Sequence, residues 1–223
     1  MAATTKGTTL FDLCGGHPAL DLVNSLDNRF RSDGPREILT SYAELLRFLE
    51  ESGLLSRQRA RLLERRTKPK AAVQILQSVT ALREATAAVL YRFIHGDSPP
   101  AKDTEVLEEY FKESLRHREL RWLPETNRHP QQHQALTWSW GRFEMQPDLP
   151  IWILSQAVSD LLLSGHLGRV HACDMDSCRW LFLDTSKNGT RRWCNMKICG
   201  NRMKARRFQT QITNGRRSNV HND

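Results

Sequence analysis

No stretch of this 223-residue sequence reaches the eighteen or so consecutive apolar residues that a membrane-spanning helix needs. The longest apolar run, near Ile151–Leu163, is broken by Ser155, Gln156, Ser159 and Asp160. The opening residues, MAATTKGTTLFD, lack the apolar core and small-residue cleavage site of a signal peptide. Together these absences predict a soluble, cytoplasmic protein without a membrane partner. Internal repeats are missing too. Residues 1–165 lack net charge, with 21 Lys and Arg against 21 Asp and Glu. The whole excess of +8 therefore sits in residues 166–223, where 12 basic residues face 4 acidic ones. Such asymmetry marks a nucleic-acid-binding end or, in the plainer case, a solvated basic tail. Cysteine is scarce: there are five, and four of them fall within 27 residues. A cytosolic chain has little use for disulfides, so the cluster points to metal or redox chemistry.

What is present along the first part is mostly helical patterning. Gly15-Gly16 reads as a turn before a short buried element containing Leu20, Leu22, Val23 and Leu26, too short to assign to strand or helix. Ser41 and Glu44 form a capping box for a helix burying Leu45, Leu46 and Leu49, which Gly53 stops. Ser56 caps a second helix running to about Arg66. After Pro69, residues Val73, Leu76, Val79, Leu82, Val89, Leu90 and Phe93 recur at helical spacing. Another helix is predicted over about 102–117, with Val106, Leu107, Tyr110 and Phe111 on one face. The period then changes: Leu120 and Trp122 alternate, Pro124–Pro130 reads as a loop, and Leu136, Trp138 and Trp140 alternate again, as in a β-hairpin. Asp148 is placed to cap a last helix, Leu149–Ser164, and Gly165 and Gly168 mark the boundary to the basic segment.

The cysteines follow the pattern Cys173-x4-Cys178-x15-Cys194-x4-Cys199. Zinc favours thiolates in a tetrahedron, and structural sites commonly join two close pairs through a longer loop. Between the pairs, Trp180–Asp184 reads as a strand, Lys187-Asn188-Gly189 as a turn, and the following residues as a return. The second pair opens the last helix, which gives the layout of a treble-clef finger. Two disulfides, or buried core cysteines, are the competing readings. Four thiolates leave no open coordination position, so the zinc is expected to be structural rather than catalytic. His171 and Asp174 are expected at the surface, and Cys14 as a small buried hydrophobe.

The run CRWLFLDTSKNGTRRWCNMKICGNRMKARRF closely resembles the CGNR zinc finger, whose namesake tetrapeptide is Cys199-Gly200-Asn201-Arg202. The preceding part is similar to the domain called ABATE, through Gly15-Gly16 and LDLVNSLDNR. Leu22 stands where an aromatic is expected and Ser25 where threonine is expected. The pair resembles proteins taken to be stress-induced transcriptional regulators of bacteria. The implied organisation is a mainly helical α+β chain. An ABATE-like helical domain with a small hairpin spans 8–165, serving sensing or dimerisation; the finger spans 166–212; a disordered tail spans 213–223.

On a helix after Cys199, residues Asn201, Ala205, Phe208 and Ile212 share a face expected to pack inward, with Asn201 hydrogen-bonded inside the finger. Arg202, Arg206 and Gln209 are then candidates to enter a groove of duplex DNA. Lys187, Lys197, Lys204, Arg207, Arg216 and Arg217 are candidates for phosphate contacts. Arg191 and Arg192 either join that surface or balance the negative charge of a zinc tetrathiolate. Asp21 and Asn24, near Gly15-Gly16, coordinate a small-molecule effector or cap backbone around a turn. A homodimer is compatible with this organisation. The alternative class is a zinc-dependent RNA-binding or ribosome-associated module, with Trp180 and Trp193 stacking on unpaired bases. No catalytic residues are assigned: treble-clef nucleases need a histidine-containing metal site, and here no histidine lies between His171 and His221. Thiolate oxidation under stress, with zinc release, is a further possibility.

Overall fold

A computed structural model describes residues 11–122, 136–206 and 208–209. The chain divides into two compact units. One comprises the residues up to Asp12 together with Leu39–Ser164; the other comprises Leu13–Ile38 and the residues from Gly165 onward.

The first unit is built from helices whose boundaries follow local chemistry. Helix α2 (Tyr42–Glu51) starts at Ser41, whose side-chain oxygen accepts the Glu44 N–H. The Glu44 carboxylate reaches back to accept the Thr40 N–H at 2.7 Å. This reciprocal pairing satisfies amides that a helix start otherwise leaves open. Gly53, at φ +75°, adopts the left-handed conformation that ends such a helix cheaply. Helix α3 (Arg57–Arg66) begins at Ser56, which accepts the Arg59 N–H. Helix α4 (Pro69–His95) ends at left-handed Gly96, whose N–H returns to the carbonyls of Arg92 and Phe93. Of its predicted apolar stripe, Val79, Leu82, Val89 and Leu90 are buried, Leu76 is half-buried, and Val73 and Phe93 are exposed.

Helix α5 (Ala101–Arg116) packs against α4 and against α6 (Leu149–Leu162), and its Ser114 hydroxyl donates to the Trp152 carbonyl. Asp148 precedes α6 but makes no capping hydrogen bond with its side chain. Its backbone is already helical, whereas a capping side chain needs an extended backbone to reach the next turn. Strands β3 (Glu119–Trp122) and β4 (Leu136–Ser139) form the predicted antiparallel hairpin, with Leu120 opposite Trp138 and Trp122 opposite Leu136. The alternating apolar face of that hairpin is exposed, and Trp140 lies beyond the end of β4. The predicted loop at 124–130 lies outside the described residues.

The second unit joins the N-terminal motif to the cysteine-rich segment. The ambiguous element is helix α1 (Pro18–Asn24), with His17 Nδ1 accepting the Ala19 N–H. Strands β1 (Leu26–Asp27) and β2 (Arg36–Glu37) make a minimal antiparallel pair. Strands β5 (Val170–Ala172) and β6 (Leu181–Leu183) make a second, and α1 packs on β6. The architecture is thus mainly helical α+β with a cysteine finger. Among the described residues no helix is long and apolar enough to cross a membrane.

Candidate metal centre

Cys173 and Cys178 occupy the turn that links β5 to β6. The Cys173 N–H donates to the Trp180 carbonyl at 2.8 Å, and the Met175 carbonyl accepts from both Cys178 and Arg179. Arg179, at φ +57°, turns the chain back into β6. The hairpin predicted after the first pair therefore forms around it instead, since β6 takes the preceding strand as its partner. The chain beyond the turn is occupied otherwise. Buried Asp184 accepts the N–H groups of Ser186 and Arg191, and the Asp174 N–H donates to the Arg192 carbonyl. Hydrogen bonding from Ser186 holds the Asp184 carboxyl down to about 2, because an acceptor so served favours its charged form.

The second pair is shaped by a wider turn, the π-helical segment Met196–Gly200. Asn195 opens it: its side chain accepts the Lys197 N–H, and its carbonyl accepts from Cys199 and Gly200. This extra width accommodates four residues between the ligands. Gly200 lies against the Met196 thioether, and a Cβ there would displace that flexible, exposed side chain. Asn201 donates its amide to the Lys197 carbonyl at 3.1 Å and locks the same turn.

The two turns bring the ligand atoms of Cys173, Cys178, Cys194 and Cys199 within 4.8 Å of one another. Cys194 Sγ is 3.6 Å from the sulfurs of both Cys178 and Cys199. Tetrahedral zinc with bonds of ~2.3 Å places its sulfurs ~3.8 Å apart, so the set fits one zinc ion. The four thiols shift one another unequally. Hydrogen bonds from Cys178 and Cys194 lower Cys173, the bond to Cys173 raises Cys178, and burial raises Cys199. A bound cation removes that frustration by stabilising thiolates together. With four protein ligands the site is closed, and its role is structural.

Arg191, a candidate for the nucleic-acid surface, instead faces into the finger. Its guanidinium donates to the carbonyls of Trp193, Leu183, Cys14 and Cys194 and lies 4.4 Å from the Phe182 ring centre. The reason is local: several carbonyls converge beside the third cysteine, and a planar fork satisfies them together. Arg192 pairs with Asp174 and lies 5.3 Å from the Trp193 ring. Trp180 and Trp193, considered for base stacking, are half-buried against the cysteine cluster, and the Trp180 indole donates to Asp27.

Residues 201–206 continue as α-helix, and Phe208 and Gln209 are helical as well. The inward face differs from the expected one: Asn201, Ala205 and Phe208 are exposed, and Met203 packs on the cysteines. Among the described residues, Met203, near the start of this helix, makes the contact with the cysteine cluster. Arg202, Lys204, Arg206 and Gln209 are exposed along it, and Lys187 and Lys197 are exposed on the two loops. The side chain of Arg207, together with Ile212, Arg216, Arg217 and the tail, lies outside the described residues.

Asp21 and Asn24 are buried and serve the backbone. Asp21 accepts the Gly15 N–H at 2.8 Å, a separation that leaves no room for a Cβ on Gly15. Asn24 exchanges two hydrogen bonds of 2.9 Å with Leu181, donating to its carbonyl and accepting from its N–H. The Gly15 carbonyl accepts the Leu183 N–H at 2.7 Å, so the motif extends the edge of β6. Cys14 rests against the cysteine cluster. Sequence reasoning did not place these residues beside the finger.

Comparison with known families gives two matches, one after the other along the chain. Residues 169–211 match the CGNR zinc finger, and residues 16–165 match ABATE, described as "Putative stress-induced transcription regulator". No curated protein matches the chain. Neither matched family is enzymatic. The ABATE match covers more than half of the sequence and the finger follows it in order, so the chain belongs to the ABATE family, with a CGNR zinc finger at its C-terminal end.

Proposed function

We propose that the protein is a bacterial transcription regulator that binds duplex DNA through its cysteine-held finger. The observation that carries this reading is the set of exposed side chains, Arg202, Lys204, Arg206 and Gln209, on the helix that leaves Cys199. With Arg191 and Arg192 set aside, residues 166–223 keep a net charge of +6. That charge supplies phosphate affinity through counterion release, while selectivity needs side chains at base edges. Arg202, Arg206 and Gln209 are assigned to the groove; Lys187, Lys197 and Lys204 are assigned to the phosphates. Zinc has no chemical step to perform here. It fixes the angle between helix and hairpin so that the arginines arrive together. The helical unit carries sensing, with a small-molecule effector whose site is not among Asp21 and Asn24.

Selection of bound duplexes from a random pool, using zinc-loaded protein, tests the reading. An enriched sequence is expected, with affinity falling steeply as salt rises. The Arg202→Ala, Arg206→Ala double variant is expected to lose the enrichment. No enrichment, with unchanged duplex binding by the double variant, defeats the proposal. Preference for single-stranded RNA in direct competition transfers the chain to the RNA-binding class.

A further inference from the structure

The β3–β4 hairpin is amphipathic in the reverse of the usual sense. On its polar face Glu119, Thr137 and Ser139 are half-buried and Arg121 is exposed, and Glu119 pairs with Arg142 at 3.3 Å. Its apolar face is open to solvent: Leu120 is 61%, Trp122 62%, Leu136 50% and Trp138 50% exposed. The register sets Leu120 opposite Trp138 and Trp122 opposite Leu136. Large and small side chains therefore alternate across the face like a two-by-two checkerboard. Trp138 is also held in place, with the Arg118 guanidinium 4.9 Å from its ring centre and bonded to Gln156 of α6.

We infer that this face is the contact surface of a homodimer, covered by the same hairpin face of a second copy. The checkerboard is self-complementary. A two-fold axis lying in the contact plane, along or across the strands, sets each tryptophan of one copy over a leucine of the other. Facing large against small is how packed layers interdigitate, and an isologous two-fold contact needs such a pattern. None of the four positions is itself charged. Two tryptophans and two leucines, each about half exposed or more, offer on the order of 400 Å² of apolar surface per copy. That is about half of the ~800 Å² per partner of a standard interface, as expected of its apolar centre. The held Trp138 ring lowers the ordering cost of association. This inference is independent of whether the finger binds DNA.

Sedimentation equilibrium of the full zinc-loaded chain tests it. Wild type is expected to be dimeric at micromolar concentration. The Leu120→Glu, Leu136→Glu double variant is expected to associate at least ~100-fold more weakly, since it would bury unpaired carboxylates. Its circular dichroism is expected to match wild type, because both positions are exposed in one copy. The Leu120→Ala, Leu136→Ala variant removes apolar volume without charge and is expected to weaken association about tenfold. It decides the matter if the glutamate variant does not fold. A wild type that stays monomeric throughout, or folded variants that dimerise with wild-type affinity, overturns the inference.

Discussion

Arg191 and Arg202 are both arginines within a few residues of a cysteine ligand, yet they do opposite things. Arg191 follows a turn clipped by Asp184, which directs its side chain toward several backbone carbonyls and the Phe182 face. Arg202 lies on the helix that leaves Cys199 and is exposed. Replacing Arg191 by alanine strands those carbonyls, and we expect a loss of about 3 kcal/mol of finger stability. Lysine should recover little of it, because a point charge cannot serve carbonyls arranged for a planar fork. Chemical denaturation of the zinc-loaded protein checks both variants. A stability loss below that of the exposed Arg202→Ala control would return Arg191 to the surface role. The residue types were legible in the sequence here; the direction each side chain takes was not, since it depends on which carbonyls a turn happens to collect.

At the scale of elements, the helix boundaries were the most legible feature because capping is local. Ser41 and Ser56 each accept an amide three residues on, and Gly53 and Gly96 take left-handed conformations, all within reach of their own segment. Ser41→Ala is expected to cost the helical unit about 1 kcal/mol, read as a lower thermal midpoint. The last helix makes the contrasting case. Its period marked Phe208 as an inward residue, yet Phe208 is 65% exposed and Met203 makes the contact. Periodicity identifies a face only if something lies opposite it, and among the described residues the cysteine cluster meets this helix at Met203. Phe208→Ser should therefore change zinc-loaded finger stability by no more than about 0.5 kcal/mol. A loss several times larger would restore the inward face.

For the molecule as a whole, the assignment of residues 13–38 to the same unit as the finger has a measurable consequence. Asn24 bridges the backbone of Leu181, Trp180 donates to Asp27, and Arg191 donates to the Cys14 carbonyl. Zinc binding contributes on the order of 10–16 kcal/mol of apparent free energy in isolated fingers, and here that energy supports both segments. Removing zinc with a chelator, or replacing Cys194 by serine, is expected to release residues 18–24 together with 170–206. Helices α2 to α6 should keep their protection. Hydrogen exchange resolved by segment reads this directly, because cooperative units open together. Protection of residues 18–24 that survives metal loss would separate the two segments.

The sequence by itself determined the metal and helices α2 to α6, since each rests on interactions within a few residues or on a fixed ligand spacing. Two Cys-x4-Cys pairs can close on one ion almost regardless of what surrounds them. Only the tertiary structure decided what the polar and apolar groups left over would meet. It set Asp21 and Asn24 against backbone, drew Arg191 inward, and turned the Trp122 and Trp138 face outward. Those outcomes depend on partners as many as 177 residues away in the chain, and no local pattern encodes which distant groups will be left to pair.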